Sequence, residues 1–167
     1  MTFAALSSYF EKLEGTSSRL ALIDILADFF KHSSKDEIDK IIYLTQGRIA
    51  PFFEPIEIGM AEKTVAESIG RTYGSTKEKV LKLYSKLGDM GLAVEQLSSK
   101  FPPEADPPLA DKAQSSKLTV SEVFDILVKI ARTSGEGTVN KRQTLLSELL
   151  KKLDSMSAKH LVRIPLG

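Results

Sequence analysis

The chain has 167 residues, 42% hydrophobic and 27% charged, enough for one ordinary globular domain with its own core. It contains no cysteine, which excludes disulfides and thiolate metal sites, and its two histidines, His32 and His160, are too few and too far apart to suggest a zinc centre. The net charge of +1 announces no nucleic-acid partner. No stretch approaches the roughly 18 apolar residues of a membrane span, and the opening MTFAALSSYFEKLEG is not a signal peptide, so a cytoplasmic protein with no membrane partner is the expectation.

Taken in chain order, Phe3, Leu6, Phe10 and Leu13 fall at helical spacing, and Gly15 should stop that helix in a left-handed cap. Thr16 or Ser17 should cap a second helix whose apolar positions are Leu20, Ile23, Leu26 and Phe30. Ser34 and Glu37 read as a capping box for a third helix carrying Ile38, Ile41 and Ile42. Pro51 and Pro55 forbid a continuous helix between Gly47 and Gly59. The next helix is predicted from Met60 through Val65 and Ile69 to Tyr73, closed by Gly74. Ser75 and Glu78 read as another capping box, with Val80, Leu83 and Leu87 as the stripe and Gly88 as the stop. Asp89 can cap a short helix through Val94 and Leu97.

Residues 100–117 hold four of the seven prolines and little apolar pattern, which marks a linker or surface strap. Thr119 and Glu122 then open a helix with Val123, Ile126, Leu127 and Ile130, broken at Ser134-Gly135-Glu136-Gly137. Thr138 should cap the next, built on Leu145, Leu146, Leu149, Leu150 and Leu153, and a last helix should run from near Ser157 to Pro165. Nothing alternates with period two. The expectation is an all-α, irregular multi-helix domain: a first lobe over 1–99, a Pro-rich connection over 100–117 and a second lobe over 118–167. Helices of about 10–16 residues cannot bury their stripes alone, so the lobes should pack together.

Catalytic constellations are lacking. Asp24, Asp28, Asp36, Asp39 and Glu67 sit on polar helical faces, and His32 at a helix end reads as a cap. Phe29, Phe30, Phe52, Phe53, Tyr73 and Phe124 fall on or near apolar stripes and read as core, not base-stacking platforms. From Arg132 to Gly167 there are seven Lys/Arg against three acids, a modest basic tail that is often just a solvated face. Within it, Gly135, Gly137 and Thr138 precede a helix start bearing Lys141 and Arg142. Cations are unfavourable beside the positive end of a helix dipole, so the group offers an external phosphate its amides, a hydroxyl and charge. The alternative is an ordinary glycine stop followed by a Thr cap. Two weaker candidates are Arg19, behind the hydroxyls of Thr16, Ser17 and Ser18, and Arg163, which shares a helix face with Lys159. Those last two cations could equally just complement a helix C-terminus.

Several segments, in order, resemble a known family. These are Tyr43-Leu44, Gly47-Arg48-Ile49-Ala50-Pro51, Glu57 to Lys63, Gly88-Asp89-Met90-Gly91, Pro107-Pro108-Leu109, and Leu118-Thr119 through Phe124, Ile130-Ala131, Gly135 and Lys141. Together with the ending Leu161 to Gly167 they are similar to the N-terminal DNA-binding domain of archaeal and eukaryotic-type ATP-dependent DNA ligases. Ala61 stands where that family usually has glycine, and Pro165 interrupts a helix that is often continuous. The resemblance implies sequence-independent binding of nicked duplex DNA through backbone phosphates, in replication, repair and recombination, and its hydroxyl-and-lysine loop aligns with Gly135, Gly137, Thr138, Lys141 and Arg142; Arg19 and Arg163 remain the weaker candidates that their helix ends suggest. No catalytic or metal-binding residue is expected. The K-x-D-G lysine of the family's adenylation domain is absent, so no enzyme–adenylate should form on this chain and no cofactor should bind it. ATP and magnesium are implied for a full-length enzyme, and its adenylation and oligonucleotide-binding-fold domains as partners of a monomeric module. The competing expectations are a helical protein-interaction domain that docks through 100–117, or an enzyme with a site of its own.

Overall fold

A computed structural model describes residues 1–100 and 118–166. Among these the chain is all-α, with nine helices: α1 Phe3–Glu14, α2 Arg19–Lys31, α3 Ile38–Thr45, α4 Glu62–Thr72, α5 Lys77–Leu87, α6 Met90–Lys100, α7 Val120–Arg132, α8 Thr138–Lys151 and α9 Ser155–Leu166. The Pro-rich connection lies outside the described residues from 101 onward.

Local chemistry sets most of the helix starts. Thr2 accepts from the Ala5 amide at α1, and Asp89 accepts from the Leu92 amide at α6 at 2.8 Å. Thr119 and Glu122 form the full capping box at α7. Elsewhere the caps differ from expectation by a residue or in kind. Ser18, not Thr16 or Ser17, caps α2, while the Thr16 hydroxyl accepts from the Ser18 amide. Thr76 replaces Ser75 at α5. Ser34 and Glu37 do not form a backbone capping box: Ser34 donates to Glu37, whose carboxylate also takes the Met1 amine at 2.5 Å. Gly15 is right-handed (φ −74°) instead of left-handed, its amide still bonding Glu11 in the helical pattern.

The helices enclose one hydrophobic cluster, with Phe3, Leu6, Phe29, Ile41, Ile69, Met90, Leu127, Leu146 and Leu161 fully or almost fully buried. Each such side chain contributes about 1.5–3 kcal/mol relative to exposure. α9 packs along α6 and α1, α4 along α8 and α5, and α7 against α8 and α3, so segments before and after 101–117 share the core. A single antiparallel bridge between Thr2 and Thr119 ties the chain start to the start of α7, with Phe3 donating to Leu118 at 2.7 Å and Val120 to Met1 at 3.0 Å.

Two expectations about burial are corrected, and the bounds of the last helix are refined. In α2 the inward face is Leu22, Ile25, Leu26, Phe29 and Phe30, so Leu26 and Phe30 turn inward as expected while Leu20 and Ile23 are 74% and 52% exposed. The segment LALIDILADFF is apolar on most faces, so its periodicity does not decide which one turns inward. Phe52 and Phe53, expected in the core, are exposed because the turn after Pro51 carries them off the body, with the Arg48 guanidinium over the Phe52 ring at 4.1 Å. Finally, α9 begins at Ser155, capped by Asp154, and keeps Pro165 in its last turn. The Pro165 carbonyl accepts from the Met60 amide at 3.1 Å, which joins the helix end to the 47–60 segment.

Candidate nucleic-acid interface

The α7–α8 connection is built on two left-handed glycines, Gly135 at φ +85° and Gly137 at φ +71°. Both lie on the surface, and a Cβ at Gly135 would meet open space. These glycines are therefore required by backbone conformation, not by crowding. Gly137 is the cap of α8, and no side chain accepts from the helix's first amides. The Thr138 hydroxyl donates instead to the Gly135 carbonyl, so Thr138 fixes the turn where it was expected to cap the helix. Lys141 is exposed, its ammonium folded back onto the Glu136 carbonyl at 3.0 Å. No acidic residue occupies the first turn. The result is a helix start without a side-chain cap, whose Thr138 amide is turned back to the Gly135 carbonyl and whose positive dipole end lies beside an exposed cation: a surface that favours an anion.

Arg142 does not share this exposure. It points inward, half-buried, and donates to Ile58 at 3.3 Å, Ala131 at 3.0 Å and Thr133 at 3.1 Å. Its guanidinium joins three segments: the end of α7, the glycine turn and the 47–60 connection. Its expected exposed, phosphate-facing position is thus corrected to a clamp beneath the loop. Arg19 is exposed at the first turn of α2.

The candidates on α9 have a different fate. Lys159 and His160 are 6% and 4% exposed and face α1. Lys159 bonds Glu11 and lies 3.6 Å from Glu14, and His160 Nε2 lies 2.8 Å from Glu11. Arg163 grips both oxygens of Asp89 at 3.0–3.2 Å and also Glu14. Every cation expected to track a phosphate here is already matched by a carboxylate from α1 or the α6 start. The Lys159 hydrogen bond holds the Glu11 carboxyl below its usual range. For Asp89, burial works the other way, but Arg163 and two backbone amides outweigh it and lower the pKa. Burial pushes His160 below 6.5 despite the attraction of Glu11 and Glu14. Glu11, Glu14 and His160 lie close enough to share a metal ion. The donor set does not fit one, because Lys159 and Arg163 already occupy those carboxylates and a dication would have to displace them.

Sequence reasoning missed Gly91, where α6 and α9 nearly touch: a Cβ there would lie 2.5 Å from the Lys159 carbonyl and 2.7 Å from the Arg163 guanidinium. It also missed Lys63 and Arg71, whose spacing from Glu67 places all three on one face of α4.

The described residues thus form a helical domain with an exposed, glycine-built start at α8 and with the α9 cations paired to carboxylates. The family described as DNA ligase N terminus matches residues 2–167, and the chain belongs to it. It is 39% identical over its whole length to a "Probable DNA ligase" of Dictyoglomus turgidum, covering 26% of that protein. It is 35% identical over its whole length to "DNA ligase 2" of Thermofilum pendens, covering 28% of it. With the "DNA ligase" of Sulfolobus acidocaldarius it shares 37% over 98% of the chain, 27% of that protein. The chain thus spans about a quarter of the length of these curated relatives. No helix among the described residues is long and apolar enough to cross a membrane.

Proposed function

We propose that this chain binds nicked duplex DNA through backbone phosphates, without sequence preference, as the DNA-binding module of an ATP-dependent DNA ligase. ATP, magnesium and the adenylation and oligonucleotide-binding-fold domains belong to the remainder of such an enzyme. The observation that carries the reading is the uncapped α8 start between Gly137 and Lys141. An anion there meets backbone donors, the positive end of a helix dipole and a cation that needs only to swing outward from a carbonyl. Gly135, Gly137 and Lys141 make the contact, Thr138 fixes the turn through the Gly135 carbonyl, Arg142 holds the loop in shape, and Arg19 is a separate exposed cation. Arg163 is left out because Asp89 and Glu14 already hold it. Such contacts position a duplex but read no bases.

The test is fluorescence anisotropy of nicked duplexes of unrelated sequence across a salt series. Lys141→Ala should weaken binding equally on all of them and flatten the slope of log affinity against log salt by roughly one unit. Wild-type binding with an unchanged slope in Lys141→Ala would remove this loop from the interface.

A further inference from the structure

The turn after Pro51 leaves two adjacent aromatic rings in solvent, Phe52 at 77% and Phe53 at 85% exposure. Singly exposed apolar residues are ordinary, but a contiguous pair held in a braced turn marks a contact surface. The brace is plain: the Glu54 amide donates to the Pro51 carbonyl at 3.0 Å, prolines stand at Pro51 and Pro55, and the Arg48 guanidinium lies 4.1 Å from the Phe52 ring centre. Rings presented in a fixed turn lose less entropy when a partner covers them.

Arg48 also lines a cleft of about 250 Å³, together with Ile49, Ile56, Glu57 and, from the end of α9, Ile164 and Leu166. Residues 55–61 form neither helix nor turn, and inward and outward positions alternate from Ile56 to Met60 as along a strand. One end of this run is fixed, since the Ile58 carbonyl accepts from Arg142 and the Met60 amide donates to Pro165. The main-chain groups of Ile56 and Glu57 make no hydrogen bond among the described residues. Unpaired main chain beside an apolar cleft suits the addition of an extended peptide, whose amides pair with the edge while alternate side chains enter the cleft.

Charge selects the occupant. Glu54 and Glu57 are exposed, and neither forms an ion pair among the described residues. The neighbouring cation, Arg48, is engaged by the Phe52 ring and by the Ala50 carbonyl at 3.3 Å. Two unmatched carboxylates repel a phosphate backbone and attract a cation. We propose that the 51–57 loop and its cleft dock a protein partner through an extended segment that carries lysine or arginine beside apolar side chains. This reading does not depend on duplex binding at the α8 start.

The experiment selects peptides from a phage-displayed library of random short sequences on the immobilised 167-residue chain, with Phe52→Ala/Phe53→Ala as the counter-target. Enriched peptides should have a net positive charge and apolar residues at alternate positions. An enriched peptide, synthesised and followed by fluorescence anisotropy, should bind wild type at least about tenfold more tightly than the double variant, as when aromatic anchors are removed. Glu54→Gln/Glu57→Gln should weaken it several-fold and reduce its salt dependence. N-methylation of one alternate set of peptide amides should abolish binding, and that of the other set should leave it intact. Both variants should melt with wild type, because the side chains replaced are exposed. Failure to enrich peptides over the counter-target, enrichment of acidic peptides, or equal affinity for wild type and Phe52→Ala/Phe53→Ala would overturn the docking surface. A loss of nicked-duplex affinity in that variant would also overturn it and assign the loop to DNA. A wild-type dimer in analytical ultracentrifugation that the same variant dissolves would overturn it in favour of a second copy of this chain.

Discussion

Arg142→Ala separates the scaffold of the loop from its surface. The substitution removes three charge-assisted hydrogen bonds, to the carbonyls of Ile58, Ala131 and Thr133. Bonds of this kind contribute about 1.5–3 kcal/mol each at full strength. The half-buried site lets water recover part of that in the variant, and the buried, unpartnered Arg142 Nε already offsets some of it in the native protein. The net loss should be about 3 kcal/mol, or roughly 6–12 °C in Tm for a domain of this size. Arg142→Lys should recover little, since one ammonium cannot span three carbonyls. Lys141→Ala should stay within about 0.5 kcal/mol of wild type, because the side chain is exposed and sits at the unfavourable end of a helix dipole. Thermal unfolding followed by circular dichroism measures all three. Duplex affinity in Arg142→Ala, measured well below its Tm, should fall with an unchanged salt slope, because the guanidinium touches carbonyls and not phosphate. If Arg142→Ala melts with wild type, or if it alone flattens the slope, the clamp assignment is wrong.

Gly91→Ala should destabilise by about 3 kcal/mol, because the new methyl group meets the Lys159 backbone carbonyl at 2.5 Å and α9 must move away from α6; a Tm within a degree or two of wild type would contradict this contact. Stability should also fall with acid in two stages. His160 is held below 6.5, so the unfolded chain binds the extra proton; its contribution is complete above about pH 6.5 and is lost as pH falls toward the folded value. Glu11 and Glu37 are held below 4.5, and Asp89 below 3.8, so their contributions are present above those values and lost at lower pH. Denaturant midpoints across a pH series should show the first stage vanish in His160→Gln and the second remain.

Helices with one clear apolar stripe, a hydroxyl or Asp cap and a glycine stop were legible from the chain alone. α7 is the clearest instance, since Thr119, Glu122 and the run Val123–Leu127–Ile130 agree on where it starts and which side turns inward. α2 was legible as a helix but not in its facing, because Leu20, Ile23 and Leu22 are equally apolar and only the position of α1 decides among them. Phe52 and Phe53 failed for a related reason: hydrophobicity predicts burial only when an element carries the residue toward the core, and the Pro51 turn does not. Gly91 entered only as part of the resembling Gly88-Asp89-Met90-Gly91 segment; its packing role could not be read, because it is an approach to a helix nearly 70 positions later.

The same limit governs the charges, and it explains why one basic segment can hold both a surface site and an internal brace. Lys141, Arg142, Lys159 and Arg163 look alike in sequence: four cations within the basic C-terminal portion. Their fates follow from what lies opposite each one. α9 turns its cations toward Glu11, Glu14 and Asp89, and removing one partner from such a half-buried set leaves a charge without compensation. Arg142 meets only carbonyls, which satisfy its hydrogen bonds but carry no net charge. Lys141 meets one carbonyl and open solvent, which leaves its charge unmatched within the protein. An anion from outside therefore gains at Lys141 what it could gain at Lys159 or Arg163 only by competing with a carboxylate already in contact. In the proposed reading, the interface is selected as much by the acids of α1 and the α6 start, which take two cations out of play, as by the glycines at the start of α8.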